Sequence, residues 1–551
     1  MKETLIILGA GVMQEPAINI AKELGYYTIA LDGSSSAPCV SLADRFEQID
    51  LKDKEGIETF ARSIQNTTSR LGIMTAGTDF SASVAWTAEK LGLPGIPYEA
   101  ALNASDKGRM RSCFKKAGLP SPPFAIIDSS LISVPDNLQF PVVIKPVDNM
   151  GSRGCRRVDN IEEFHEAAKS AISYSRSGRA IVESYMDGPE FSVDAIIYHG
   201  EIIICGLADR HIFFPPYFIE MGHTMPTVIE EEKQKAILDT FRAGIHSLGL
   251  TGKEYIGAAK GDIKLTKNGP MIGEIAARLS GGYMSGWTYP YSSGVYPIKA
   301  AILAAMGQKP EELIPVKKWT CAERAFISIP GTVKRIVNLN EESEMKNKEY
   351  KNHINNFFLR ITQGDKVSFP ENNVTKCGNI IASAPDRTTA ISAAETAARF
   401  ILIHLDPANP ETSIFLQANK QSVFPPDAFQ LPNELKSTQN QLPETTIPHS
   451  TFHTKHYTLN TTHYTLNITP FPAFENSNLT DYMGRTVGET LEAVRLLTGL
   501  SLPLCETISD SSENAENIIR LGKSFWAALI RGSYQGAVYY IENLGENIDS
   551  K

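Results

Sequence analysis

The stretch from Phe140 to Val158 constrains the fold more than any other part of this chain. Phe140–Lys145 (FPVVIK) predicts a buried strand ending in a lysine, because β-branched residues crowd a helical turn but pack well on a pleated surface. Asp148-Asn-Met-Gly-Ser-Arg-Gly-Cys-Arg-Arg157 follows, with glycines at Gly151 and Gly154, and Val158 begins the return. Strand, glycine loop and strand make a hairpin whose backbone amides can fold over phosphates, with the lysine adding a point charge. It is not a P-loop, since GxxxxGK[ST] is absent and no helix follows the glycines at once. Taken alone, an ordinary glycine-rich hairpin is the plainer reading.

The chain starts as a β-loop-α-β unit. Thr4–Leu8 reads as a buried strand, Ala17–Leu24 as an amphipathic helix stopped at Gly25, and Thr28–Leu31 as a second strand stopping at Asp32, so the sheet should be parallel. Gln14 stands where a dinucleotide fingerprint needs its third glycine, which favours a tight turn after Gly9 and Gly11 over NAD binding. Ile73–Ala76 predicts a further strand and Ala82–Leu91 a helix. Leu102–Gly118 reads as one helix, capped by Ser105, with Met110, Cys113, Phe114 and Ala117 on one face. Lys107 falls in its first turn, where the helix dipole opposes a cation; on pattern alone it is a surface lysine.

Arg179–Tyr185 and Phe191–Tyr198 read as strands around Met186-Asp-Gly-Pro-Glu190. Glu183 and Glu190 frame this turn in apolar surroundings, where carboxylates need partners. A purine amino group, ribose hydroxyls or nearby backbone amides would all serve. Ala259–Leu265 and Met271–Ile275 read as adjacent strands joined at Lys267–Pro270, aiming Asp262 and Glu274 at one spot. Mg²⁺ takes carboxylate oxygens presented that way, with substrate phosphates completing its shell. Each acid in isolation reads as an edge-strand carboxylate facing water. Arg278 and Gly281-Gly282 lie just beyond.

Length and composition bound the rest. The 551 residues predict roughly three to four domains. With 42% hydrophobic and 21% charged residues, the chain fits a globular protein rather than a disordered one. A net charge of −9 gives no support for a general nucleic-acid binder. No apolar run approaches the roughly 18–20 residues needed to span a bilayer, and the first residues read as a strand rather than a signal peptide. Seven scattered cysteines without a CxxC argue against a disulfide framework or zinc site and make a reducing cytoplasm the default.

Together these signals are similar to the ATP-grasp superfamily of ligases, in its amino-acid-ligase-like and biotin-carboxylase-like branches, from Gly9 to about His404. The order matches: a Rossmann-like start, SDKGRMR, FPVVIKPVDNMGSRG, IVESYMDGPEFSVD and KGDIKLT…GEIAARLSGG. The resemblance implies an α/β multi-domain chain. Residues 1–98 would form a Rossmann-like pre-ATP-grasp domain and 99–315 the ATP-grasp domain, with a hairpin lid at about 124–188. Residues 316–405 would be a β-rich C-terminal lobe, with turns at Pro330-Gly331 and Gly364-Asp365 and a helix over Ile391–Ile403. It also implies site roles. Lys107 and Lys145 would contact ATP phosphates, and the loop with Gly151, Ser152 and Gly154 would close over them. Glu183 with the backbone at Tyr185 and Met186 would hold adenine, and Glu190 ribose. Asp262 and Glu274 would bind Mg²⁺, with Mn²⁺ as an alternative ion. Arg278 would face the γ-phosphate or a substrate carboxylate, and His223 (IEMGHTMP) would sit near the acyl acceptor. Many members have Asn two residues after the second metal acid; here that position is Ala276, whose side chain offers no metal ligand.

Beyond about His404 the resemblance stops. Residues 406–470 read as a linker or surface arm, rich in Pro, Thr, Asn, Gln and Ser, with HYTLN occurring twice. His449, His453, His456 and His463 lack companion ligands, so a metal there is disfavoured. Residues 471–551 predict a helical extension, with helices over Asp481–Thr498 and Asp510–Asn543 and a capping pair at Asp510 and Glu513. The leading functional expectation is an ATP-dependent carboxylate–amine ligase that forms an acyl phosphate, with amino acids as candidate substrates. A bicarbonate- or formate-using ligase and a non-catalytic nucleotide-binding regulatory module are the alternatives. Partners would be small carboxylates and amines, with no nucleic acid and no membrane, and a homodimer is left open.

Overall fold

The computed structural model describes residues 2–130, 132–341, 349–418, 424–447, 465–500 and 518–544. It divides into two compact units. The first comprises Met1–Arg324, Glu371–Asn373 and Ile381–Ser392; the second comprises Ala325–Pro370, Val374–Ile380 and Ala393–Lys551. Among the described residues no helix is long and apolar enough to cross a membrane.

The first unit opens with β1 (Glu3–Leu8), α1 (Glu15–Glu23), β2 (Tyr27–Asp32), β3 (Arg45–Gln48), α2 (Lys54–Gln65), β4 (Arg70–Thr75) and α3 (Ser81–Leu91). The strands form a parallel sheet in the order β3-β2-β1-β4, as the β-loop-α-β pattern predicts. Gln14 explains the broken fingerprint. It is buried, its side chain accepts the Gly11 N–H at 3.0 Å, and it donates to the Ala76 carbonyl. A Cβ on Gly9, which has φ +103°, would stand 2.8 Å from that side chain. The turn is filled by glutamine where a dinucleotide site would need open space.

The single helix expected over Leu102–Gly118 is two: α4 (Tyr98–Ser105) and α5 (Lys107–Lys116). The break falls at Asp106, whose extended backbone (φ −106°, ψ 115°) lets its carboxylate accept the Arg109 N–H at 3.0 Å. Asp106 therefore caps α5, while Ser105 donates to Ala101 O within the preceding helix. Lys107 thereby becomes the first residue of a helix, and it is buried.

Next comes a small antiparallel sheet, β5-β8-β6-β7, from β5 (Phe124–Asp128), β6 (Val142–Pro146), β7 (Arg156–Val158) and β8 (Arg179–Ser184), packed with α6 (Ile161–Tyr174). The glycine loop joins β6 to β7 as the hairpin predicts. A larger antiparallel sheet runs β13-β12-β9-β10-β11-β14 through this unit. Its strands are β9 (Glu190–Tyr198), β10 (Glu201–Phe213), β11 (Ile219–Met225), β12 (Ile256–Thr266), β13 (Gly269–Ala276) and β14 (Thr320–Phe326). Helix α7 (Glu231–Ser247) covers one side of it. Gly261 on β12 makes room for the Phe241 ring, since a Cβ there would lie 2.6 Å from it.

The second unit corrects several expectations. The helix placed at Ile391–Ile403 runs Arg387–Arg399, and Ile401–Leu405 is a fully buried strand antiparallel to Gly331–Asn338. Within the expected arm, Phe429 and Leu431 are buried in a core, while the helix Asn433–Gln441 has no buried residue. The helix expected over Asp510–Asn543 is Lys523–Glu542. Ile518–Leu521 ahead of it is a strand, parallel to Thr465–Ile468. Ile519 and Leu521 face in while Arg520 faces out, a period of two rather than 3.6. The C-terminal extension is thus not purely helical. A capping box does occur, at Thr486 and Glu489 ahead of Val487–Thr498. Asp510, Glu513, the four clustered histidines and most of the HYTLN duplication lie outside the described residues.

Trp526 anchors this C-terminal core. It is fully buried between Phe471, Phe474 and Phe525, and its indole N–H donates to Thr469 O at 2.8 Å. Trp526→Ala should cost about 3–5 kcal/mol, from the cavity and an unsatisfied carbonyl. Urea unfolding followed by tryptophan-independent far-UV circular dichroism would show the loss as a lowered midpoint.

Candidate active site

The site begins at the N-terminus of α5. The Lys107 N–H donates to Val147 O at 2.8 Å, and its ammonium reaches Asn149 O at 2.9 Å and Glu274 at 3.3 Å. Helix start and glycine loop are therefore joined by one residue. Burial works against this cation, but Glu274 and Asp79 outweigh it and raise the Lys107 pKa, so it stays charged. One turn along α5, the Arg111 guanidinium donates to Glu183 at 2.6 Å and to Gly273 O at 2.6 Å. Lys145, at the end of β6, meets the other Glu183 oxygen at 2.8 Å. Strand pairing sets this up. Glu183 is opposite Val143 and Lys145 opposite Ile181, so the two charged residues share one face as diagonal neighbours. Burial opposes ionisation of Glu183, yet Arg111 and Lys145 hold its pKa down to about 2.

Asp262 and Glu274 are directly opposite each other across β12 and β13. The ladder slips just after Asp262, and a Cβ on Gly273 would lie 3.0 Å from the Asp262 carbonyl. Ser192 donates to Asp262 at 2.7 Å, Lys260 pairs with its second oxygen, and Arg210 approaches to 3.1 Å. Against burial, Arg210 and then Lys260 draw the Asp262 pKa down to about 2. Burial is likewise overcome for Glu274, chiefly by Lys107, and its pKa is lowered. Both acids therefore offer ionised, hard oxygen donors on neighbouring strands. Among the described residues no three or more His, Cys, Asp or Glu cluster in metal-binding fashion. Two carboxylates fit Mg²⁺ when substrate phosphates and water supply the other ligands.

The glycine loop closes the other side. Gly151, Ser152 and Gly154 have φ of 68°, 59° and 66°, so even Ser152 is left-handed. A Cβ on Gly154 would stand 2.8 Å from Tyr174. Tyr185 and Met186 line a cleft of about 960 Å³ between the β8–β9 connection and the Leu265–Met271 turn. That cleft does not include Lys107, Lys145, Asp262 or Glu274. Glu183 is not in its lining either, its carboxylate being turned to Arg111 and Lys145. The Tyr185 ring has Arg157 at 4.4 Å and Lys264 at 5.3 Å from its centroid. Glu190 pairs with Arg210 and lies 3.8 Å from Lys264.

On the opposite side, His223 is buried with Nδ1 3.1 Å from Glu323 and Nε2 3.7 Å from Glu220. Glu220 also accepts from Arg210 Nε at 2.8 Å. Arg278 donates to Leu279 O at 3.0 Å, and its buried Nε has no hydrogen-bond partner among the described residues. Ala276, where a metal-binding asparagine is common, is buried. The structure thus brings Lys107, Lys145, Glu183, Asp262 and Glu274 into one connected set and places Glu190, Glu220 and His223 around Arg210. Sequence reasoning missed Arg111 and Arg210. Arg111 could have been found from its i, i+4 spacing to Lys107 inside SDKGRMR; Arg210 carried only the weak signal of a charge in a largely apolar strand.

A family model for the ATP-grasp domain matches residues 138–286, and one for L-amino acid ligase C-terminal domain 2 matches 325–406. Residues 138–286 thus form an ATP-grasp domain. It is 23% identical to carnosine synthase 1 of Gallus gallus over 335 residues, which is 56% of this chain and 36% of that protein. It is 32% identical to the D-alanine–D-alanine ligase of Stutzerimonas stutzeri over 170 residues, 29% of this chain and 53% of that one. The chain spans about half or less of the curated relatives it matches. The L-amino acid ligase from Bacillus licheniformis has the same fold, with a TM-score of 0.61 at 22% identity over 74% of this chain and 100% of that one. The second model overlaps most of the 316–405 stretch expected to form a C-terminal lobe.

The Glu183 pairing has a pH signature. Its pKa is lower in the folded state than the ordinary 4.5, so its stabilising contribution is complete above about pH 4.5 and is lost as pH falls toward 2. Urea midpoints measured from pH 5 to pH 3 should fall more steeply for the wild type than for Glu183→Gln, which has no such group to titrate.

Proposed function

We propose that the protein is an ATP-dependent ligase that joins a carboxylate to an amine, with amino acids as substrates on at least one side. The observation that carries this is the juxtaposition of Asp262 and Glu274 on paired strands with the Lys107 ammonium held between Glu274 and the glycine loop. Relatives whose names describe amino-acid and dipeptide ligation support the choice of substrates.

A carboxylate at neutral pH is a poor electrophile. In the proposed reaction its oxygen attacks the γ-phosphorus of ATP, the bond to the β-bridging oxygen breaks, and ADP leaves. The amine nitrogen then attacks the acyl carbon of the acyl phosphate, and inorganic phosphate departs with the carbon–oxygen electron pair. Lys107 and Lys145 place charge on the phosphates, and the Gly151–Gly154 backbone covers them and excludes water. Asp262 and Glu274 would hold Mg²⁺, which when bound neutralises phosphate charge. Arg278 faces the transferring group or the substrate carboxylate. His223, its ring fixed by Glu323, stands beside the acceptor amine. Glu183 works indirectly by fixing Lys145, while Tyr185, Met186 and Glu190 contact the nucleoside.

Purified protein with Mg·ATP, assayed for ADP against a matrix of carboxylates and amines that includes all the amino acids, should respond only to particular acid–amine pairs. Asp262→Ala and Glu274→Ala should each lower that rate by about 100-fold or more, the scale of lost electrostatic stabilisation at phosphoryl transfer. Full activity in both variants would remove the site assignment, and stimulation by bicarbonate without an amine would replace the substrate class.

A further inference from the structure

The glycine loop is gripped by a residue distant in sequence. Asn373 belongs to the short segment Glu371–Asn373 of the first unit. Its backbone N–H donates to Gly151 O at 2.9 Å, and its side-chain Nδ2 donates to Ser152 Oγ at 3.3 Å. Its Oδ1 accepts the Glu220 N–H at 2.8 Å. One amide side chain thus bridges the loop over the phosphates and the strand on the acceptor side, which a carboxamide can do because it is donor and acceptor at once. The connection continues from there. The Glu220 carboxylate is bound by Arg210, which reaches Asp262 at 3.1 Å, and His223 lies on the same strand as Glu220. A neighbouring tie runs in parallel: the Arg157 N–H, just past the loop, donates to Pro216 O at 2.8 Å, and Tyr217 is hydrogen-bonded to Glu371.

We propose that Asn373 is a positioning residue that couples closure of the glycine loop to occupation of the acceptor side beside Glu220 and His223. The inference rests on the ligase reading above. Its physical content is reciprocity: whatever shifts Glu220 moves the N–H that Asn373 Oδ1 accepts, and whatever lifts the loop breaks the bonds that Asn373 donates to Gly151 O and Ser152 Oγ, so each site biases the other. An acyl phosphate exposed to water hydrolyses, so a ligase gains when the loop is shut while the amine is seated. Asn373→Ala keeps the backbone bond to Gly151 and removes both side-chain bonds. Asn373→Asp keeps an oxygen for the Glu220 N–H and removes the donor to Ser152. Ser152→Ala removes only the loop end of the bridge.

Two readouts on the full chain test this. In hydrogen exchange with Mg·AMP-PNP bound, residues 149–155 should exchange about fivefold faster in Asn373→Ala, the effect of losing one ordinary hydrogen bond, and Ser152→Ala should show a similar gain. With an active acid–amine pair, ADP formed per bond made should rise severalfold in Asn373→Ala while staying near one in the wild type. Unchanged exchange and an unchanged ADP-to-product ratio in Asn373→Ala would overturn the proposal. If Asn373→Ala misfolds by circular dichroism, Ser152→Ala decides, and wild-type exchange in that variant counts against the coupling. If the wild type joins no acid to any amine, the ligase reading fails separately, and the exchange comparison still decides whether Asn373 holds the loop.

Discussion

Glu183 is a carboxylate in the protein interior, and a buried charge must be matched. Arg111 and Lys145 match it, at 2.6 and 2.8 Å. The three residues come from α5, β8 and β6, and Arg111 also binds the Gly273 carbonyl on β13. One ion network therefore ties the small antiparallel sheet, the helix that carries Lys107 and the strand that carries Glu274. Removing one partner of such a set leaves an uncompensated buried charge, at a cost of roughly 3–5 kcal/mol. A network like this adds little stability over an apolar core, but it fixes where its members point, and in the proposed reaction Lys145 has to point at the nucleotide.

The same logic extends to the acids. Asp262 is ionised because Arg210 and Lys260 stand next to it, and Glu274 because Lys107 does. Carboxylates prepared in this way are ready donors for a hard cation. Arg210 has a wider reach, since Glu190, Glu220 and Asp262 all meet its guanidinium. It sits where the proposed ribose, metal and acceptor regions converge, and the Asn373 bridge enters the same cluster through Glu220. Charge on this side of the site is shared, so a change at one carboxylate is felt at the others.

Much of this was legible in the sequence. FPVVIK, the glycine loop and Val158 predicted the hairpin, and the paired runs around Asp262 and Glu274 predicted adjacent strands; both depend on local periodicity and turn residues. The same rules failed where a competing signal was stronger. A continuous helical pattern hid the cap at Asp106, and Ile518–Leu521 was absorbed into the helix that follows because four residues are too few to reveal a period. Burial of Lys107 was invisible locally, since a lysine at a helix start reads as solvated until the glycine loop is known to lie on it. Arg111 and Asn373 act through partners about 70 to 220 residues away in the chain, and Arg210 through carboxylates on other strands or across a turn; spacing can place Arg111 on the same helix face as Lys107, but it names none of these partners. Burial of Phe429 and Leu431 was masked by a polar surrounding sequence in which they are outnumbered.

The central claim is that ATP phosphorylates a carboxylate before any amine reacts. Positional isotope exchange tests it directly, using ATP labelled with ¹⁸O at the β,γ-bridge and incubated with Mg²⁺ and an active acid but no amine. If an acyl phosphate forms reversibly, the label will scramble into the non-bridging β-positions, and the scrambling will require the acid. If the label stays in the bridge with every acid that supports ligation, while ADP still forms once the amine is added, then the carboxylate is not activated first and the account is wrong.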